Sequence, residues 1–178
     1  MNLLLFIGIA LGYTLIPGPN AMLIITTSIA YGTKRGLQIA AGISCAIAVH
    51  LLFAIYSSRF LVNTLRVNLQ WFKWVGAAVI AVLVLKMLIQ LKRKQERPVL
   101  SGVKSFSQGV GLGLGNPKAL IFYTAFILPF VKAEKSFQDQ ISLLAFIFWI
   151  TVCLCDISFA VFSVKIKKLL VRYHLSKD

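Results

Sequence analysis

The sequence predicts an all-α polytopic membrane protein, a helical bundle of about five transmembrane helices of which the first and fourth are broken. Three observations predict it. The chain of 178 residues is 58% hydrophobic, with mean hydropathy +0.84, and only 13% of it is charged, about half the share of a soluble domain. Its apolar residues gather into runs long enough to cross a hydrocarbon core of ~30 Å at ~1.5 Å per helical residue. Two of those runs are interrupted near their middles, at Pro17-Gly18-Pro19-Asn20 and at Gly115-Asn116-Pro117-Lys118.

The first run is Leu3–Ala30. Ahead of it, Met1-Asn2 supplies no basic n-region, and no small-residue cleavage site follows, so a retained helix is expected rather than a removed signal peptide. Pro17 and Pro19 withhold backbone donors and Gly18 accepts unusual dihedrals, so the helix should stop near Ile16 and restart at Pro19 or Asn20. Gly32, Lys34, Arg35 and Gly36 form a tight basic turn into the second run, Leu37–Ser57, where Gly42 thins the helix for packing. His50, in mid-span, reads as a hydrogen-bonded structural histidine. The third run, from about Leu69 to Leu91, carries Lys86 near its end. The fourth, Phe106–Val131, has Gly109, Gly111, Gly113 and Gly115 ahead of Asn116, which allow close approach by a neighbouring helix; a re-entrant segment is the alternative there. The fifth is Ile141–Val164 and carries Asp156. Trp71, Trp74 and Tyr31 sit where interfacial aromatic anchors lie.

One domain, 1–178, accommodates these runs: a first repeat over 1–91, a cytoplasmic basic linker over 92–105, a shorter second repeat over 106–164 and a basic tail over 165–178. The net charge of +14 suits nucleic acid by sign alone. Its placement excludes that partner, because the cations fill the gaps between apolar runs, as cytoplasmic loops of a membrane protein require. With the N-terminus outside, twelve cations fall in inner segments, among them Lys34, Arg35, Lys92, Lys104, Lys165, Lys167, Lys168 and Arg172. Five fall outside: Arg59, Arg66, Lys73, Lys132 and Lys135. That imbalance sets N-outside, C-inside. The Lys92–Lys104 stretch reads as a solvated loop at the lipid surface rather than a specific lipid site.

Cys45, Cys153 and Cys155 lie within apolar runs without CxxC or metal-ligand spacing, and they read as small core residues. No metal, cofactor or catalytic residue is expected.

The chemistry lies at the breaks. A helix that stops at mid-membrane depth leaves N–H and C=O groups that lipid cannot satisfy, so protein, water or a bound solute must do so. Two such breaks at corresponding places point to a solute site between repeats. A restarting helix offers free N–H groups and a partial positive end suited to a carboxylate, and Asn20 adds an amide with donor and acceptor capacity. Lys118, in the first turn of the second restart, opposes the helix dipole and needs an anion. Asp156 is the one acid within any run. A charge at that depth costs about 2.5–3.5 kcal/mol even on the lower insertion scales, so it should face the bundle interior. There it would accept a substrate ammonium, pair with Lys118 or take up a proton.

Taken together, Pro17-Gly18-Pro19-Asn20, Gly32-Thr33-Lys34-Arg35-Gly36-Leu37, Ala41-Gly42-Ile43, Trp74-Val75-Gly76-Ala77, Asn116-Pro117-Lys118-Ala119-Leu120-Ile121-Phe122 and Leu128-Pro129-Phe130 resemble the LysE/RhtB family of amino-acid exporters. Order and spacing agree from Leu3 to about Ser163. The resemblance implies export of amino acids or related small zwitterions across the bacterial inner membrane, by two inverted three-helix repeats driven by the proton gradient or membrane potential. Carried over, Pro17, Gly18, Pro19, Asn20, Asn116, Pro117 and Lys118 become substrate-binding residues, joined by Asp156. The expected partners are the amino acid and the lipid bilayer, with a homodimer possible. Family members usually carry a sixth hydrophobic helix. Here the sequence stops at Asp178, which implies a truncated second repeat and raises, as an alternative, a non-transporting remnant or assembly subunit. A membrane thiol–disulfide oxidoreductase is a further rival, but it needs a reactive cysteine beside each break.

Overall fold

The computed structural model describes residues 2–65, 102–116, 127, 130–131 and 137–175. The third run, most of the basic linker, Trp71, Trp74, Pro117 and Lys118 lie outside them. Among the described residues the chain is helical: α1 Leu3–Leu15, α2 Pro19–Tyr31, α3 Thr33–Leu65, α4 Gly102–Leu114 and α5 Phe137–Leu175. Among the described residues two helices, through Thr33–Tyr56 and Gln138–Arg172, are long and apolar enough to cross a membrane, and the bent pair α1 and α2 makes a third if counted as one span.

The first break forms where the prolines place it. Asn2 caps α1, its Oδ1 accepting from the Leu5 N–H at 3.2 Å. Ile16, ahead of Pro17, is forced out of the helical region and adopts φ −68°, ψ 110°, as the proline ring demands of its predecessor. Gly18 is extended, Pro19 takes the first helical position, and α2 leaves at 55° to α1. Gly32 ends α2 at φ +89°, its N–H donating to the Ser28 carbonyl at 2.9 Å, and α3 starts at the next residue. A left-handed residue here costs little only as glycine.

Contacts fix the helix directions. Ile55, Ser44 and Gly36 of α3 meet Gln138, Trp149 and Ala160 of α5 respectively, so these two run antiparallel. Ile39 and Ala46 of α3 lie against Gly109 and Gly113 of α4, so those two run parallel. Tyr13 meets Phe148 and Ile29 meets Lys167, so α1 and α2 follow α5. One end of the bundle therefore gathers the α2–α3 turn, the start of α4 and the end of α5, with Lys34, Arg35, Lys104, Lys165, Lys167, Lys168 and Arg172.

The core is built around Phe6, Ile24, Ile39, Ile43, Leu144 and Phe148, all fully buried. In lipid such burial gives no hydrophobic drive between helices, so close packing and interhelical hydrogen bonds hold the bundle. A Cβ on Gly42 would run into the Phe106 carbonyl and the Val110 nitrogen, and one on Gly109 into the Ile39 carbonyl. These glycines let the backbones of α3 and α4 touch. Between α3 and α5, Trp149 donates its indole N–H to the Ser44 carbonyl at 3.0 Å. Replacing Trp149 by Phe keeps a ring and deletes that bond. The expected loss is about 0.6–1.7 kcal/mol of resistance to denaturing detergent, read from unfolding midpoints; a loss several times larger would mean that ring packing dominates.

Three helices extend beyond the apolar runs that predicted them. α3 begins at Thr33 and continues to Leu65, α4 begins at Gly102, and α5 runs from Phe137 to Leu175, so the basic segment past Val164 is helical. Asp139 in the first turn of α5 and cations near its end both complement the helix dipole. Cys45 corrects the reading of the cysteines as core residues, because it is exposed; Cys155 is buried and Cys153 half-buried.

Candidate functional site

The break between α1 and α2 opens onto a cavity of about 50 Å³ whose walls include Tyr13, Gly18, Asn20, Asn116, Phe148, Val152 and Asp156. Each arrives for a local reason. Asn20 is the second residue of α2. Asn116 follows α4, which closes with the Gly115 N–H on the Gly111 carbonyl at 3.1 Å and the Asn116 N–H on the Gly113 carbonyl at 3.3 Å. Phe148, Val152 and Asp156 are spaced four apart and form one stripe along α5. Val152 lies close to the middle of the apolar run Ile141–Val164, so the cavity sits near mid-depth of the bundle.

Its polar groups are mostly acceptors and backbone donors. The first intrahelical bond of α2 is Met22 N–H to the Gly18 carbonyl at 2.9 Å, and Gly18 supplies no side-chain cap. Pro19 has no N–H, so the N–H groups of Asn20 and Ala21 are left at the open end of the helix. Asp156 is 3% exposed, and its Oδ2 has no hydrogen-bond partner; neither does the buried Oδ1 of Asn20. A buried carboxylate oxygen and a buried amide oxygen beside two free N–H groups match the two ends of a zwitterion. An ammonium supplies donors to the oxygens, and a carboxylate supplies acceptors to the N–H groups.

Of the residues the sequence singled out, Gly18, Asn20, Asn116 and Asp156 share this cavity. Pro17 and Pro19 do not line it; Pro17 is exposed and both act through the bend. Pro117 and Lys118 fall outside the described residues. His50 does not line the cavity either. Sequence reasoning passed over Tyr13, Thr14, Ile16, Ala21, Ile47, Phe148 and Val152, which supply the remaining wall. The one available signal was the four-residue spacing leading to Asp156. No cysteine lines the cavity; Cys153 instead sits 3.1 Å from the Ser44 hydroxyl. Among the described residues no cluster of His, Cys, Asp or Glu is arranged to hold a metal ion.

The profile of the LysE-type translocators matches residues 11–176. The chain belongs to that family. LysE-type translocators are membrane transporters and not enzymes, which removes the oxidoreductase reading. Similar proteins include a leucine efflux protein of Klebsiella pneumoniae, 26% identical over 167 residues that cover 92% of this chain and 79% of the relative. A leucine efflux protein of Enterobacter sp. is 29% identical over 126 residues, 68% of this chain and 60% of the relative. An uncharacterised membrane protein of Pseudomonas aeruginosa is 26% identical over 157 residues, 84% and 73% of the two chains. No solved structure matches the chain.

Proposed function

We propose that this LysE-type translocator exports a neutral amino acid with an apolar side chain across the bacterial inner membrane. The observation that carries the reading is the meeting of the α1–α2 break, Asn116 and Asp156 in one cavity. The substrate carboxylate is held by the Asn20 and Ala21 N–H groups at the positive end of α2. Its ammonium lies between the Asp156 carboxylate and the Asn20 amide oxygen, and Asn116 donates or accepts from the far wall. Ile47, Phe148 and Val152 suit a hydrocarbon side chain and offer nothing to a second charge. The relatives named for leucine efflux agree with that choice.

The basic end of the bundle lies in the cytoplasm, following the excess of cations there. Two features support inverted repeats: parallel α1–α2 and α5 on one side, and parallel α3 and α4 running the other way. The cavity, at about 50 Å³, is far below the roughly 300–1,000 Å³ of ordinary ligand pockets. It represents an occluded form, and loading requires α2 or α4 to move at its broken end.

Efflux of labelled leucine from preloaded cells tests the reading. Asn116→Ala should abolish efflux while membrane insertion and expression stay normal, because the small side chain leaves the cavity one polar wall short. Wild-type efflux from that variant would remove Asn116 from the site. Absence of efflux of any neutral amino acid by the unaltered chain would remove the transport reading itself and favour an assembly subunit.

A further inference from the structure

We infer that the basic end of the bundle carries a binding groove for an anionic phospholipid, between the end of α2 and the last turns of α5. The inference is independent of the transported substrate. The groove has a volume of about 480 Å³ and is lined by Ile29 of α2 and by Val164, Lys167, Lys168, Val171 and Arg172 of α5. On α5 those positions form one stripe at three- and four-residue spacing, so their side chains face the same way. No acidic side chain lines it among the described residues.

The cations are not equivalent. Lys165 leaves the stripe and places its Nζ 5.7 Å from the Phe162 ring centroid. Lys167 donates to the Ile29 carbonyl at 2.9 Å, which answers the partial negative charge at the end of α2 and ties the two helices into the groove's floor. Lys168 and Arg172, one helical turn apart, remain for an outside anion. The apolar run of α5 ends at Val164 and the cations follow at once, which puts the groove at the headgroup level of the leaflet that the basic end faces.

Charge and shape together choose the occupant. A bare phosphate would satisfy Lys168 and Arg172 but leave Ile29, Val164 and Val171 uncovered in a groove several times its size. A phospholipid covers both parts. Its phosphate sits between Lys168 and Arg172, where the guanidinium fork of Arg172 matches two phosphate oxygens, and the glycerol and upper acyl carbons lie along Ile29, Val164 and Val171. A net negative headgroup is favoured because three cations and, among the described residues, no acid line the groove.

Native mass spectrometry of the full chain in a neutral detergent, with phosphatidylglycerol or phosphatidylcholine added, tests the groove. The unaltered chain should retain phosphatidylglycerol in preference to phosphatidylcholine. The double variant Lys168→Gln/Arg172→Gln should weaken phosphatidylglycerol binding roughly tenfold to thirtyfold. The control Lys104→Gln/Lys165→Gln removes the same charge away from the groove and should leave binding within roughly twofold. Equal loss in both pairs overturns the groove in favour of general charge attraction. Equal retention of the two lipids overturns the charge recognition. Displacement of phosphatidylglycerol by a few-fold excess of inorganic phosphate reassigns the groove to the free anion and overturns the lipid. If the groove variant does not elute as a single species, Arg172→Gln alone is measured, with an expected loss of roughly threefold to tenfold; unchanged binding overturns the proposal.

Discussion

Asp156→Asn should reduce leucine efflux by roughly tenfold to a hundredfold while leaving the chain as stable as before, or slightly more so. The side chain keeps its shape and loses its charge. Asp156 is 3% exposed with one oxygen unpartnered, so in the proposed binding mode a substrate ammonium entering the cavity would find an acceptor there. Hydrogen bonds to charged groups contribute about 1.5–3 kcal/mol against ~1 for neutral ones. The difference falls on substrate binding. Stability moves the other way, because an amide is cheaper than a carboxylate in a low-dielectric interior. Efflux assays and thermal unfolding in detergent, done on one preparation, separate the alternatives. Lost efflux with intact stability assigns Asp156 to transport, and lost leucine binding by the same variant assigns it to substrate rather than to proton uptake. Lost efflux with a large drop in unfolding temperature makes it a structural ion-pair partner, the role Lys118 was expected to share. Undiminished efflux removes Asp156 from the mechanism.

Asp156 was legible in the sequence for the same reason that the prediction is sharp. A charge within an apolar run has few tolerable places, so its burial follows from solvation alone. The α1–α2 break was legible too, since Pro17 and Pro19 act on their own backbone and on the residue before each, whatever surrounds them. The rest of the cavity was not. Ile47, Phe148 and Val152 are indistinguishable in sequence from the apolar residues that face lipid, because in a membrane chain both faces of a helix are hydrocarbon. Polar residues mark a buried face only where they are sparse, as Asn20, Asn116 and Asp156 are, and Asn20 and Asp156 each keep a buried oxygen without a partner. Helix ends were misplaced for a related reason. The apolar run marks where lipid begins and ends, while the helix continues wherever the backbone allows, so α5 runs eleven residues past Val164 to Leu175 on good helix formers such as Lys and Leu.

The glycines before Asn116 read in sequence as one class and divide into two in the structure. That division gives the second large expected effect: Gly109→Ala should cripple the protein, and Gly111→Ala should be silent. A Cβ at Gly109 collides with the Ile39 carbonyl oxygen and lies 3.0 Å from its carbon, while one at Gly111 meets nothing within 4 Å among the described residues. The obstruction at Gly109 is backbone, so no side chain can turn aside, and α4 must move bodily away from α3. Gly42 faces the same seam from the other helix, its own Cβ meeting the Val110 nitrogen at 2.8 Å and the Gly109 Cα at 3.1 Å, so Gly42→Ala should behave like Gly109→Ala. Overpacking of this kind costs about 1–3 kcal/mol, and in lipid no hydrophobic drive restores the contact once the backbones part. Asn116 stands two residues beyond the end of α4, so separation of the seam also withdraws its amide from the cavity. Efflux should therefore fall further than the loss of stability accounts for. Gly111→Ala removes the entropic cost of a helical glycine, about 0.8–1 kcal/mol, and should unfold at the same temperature or higher with normal efflux. Parallel measurement of unfolding and efflux in the three variants decides the matter. If Gly109→Ala and Gly42→Ala transport as well as Gly111→Ala, the close crossing of α3 and α4 does not position Asn116, and the second wall of the site lies elsewhere.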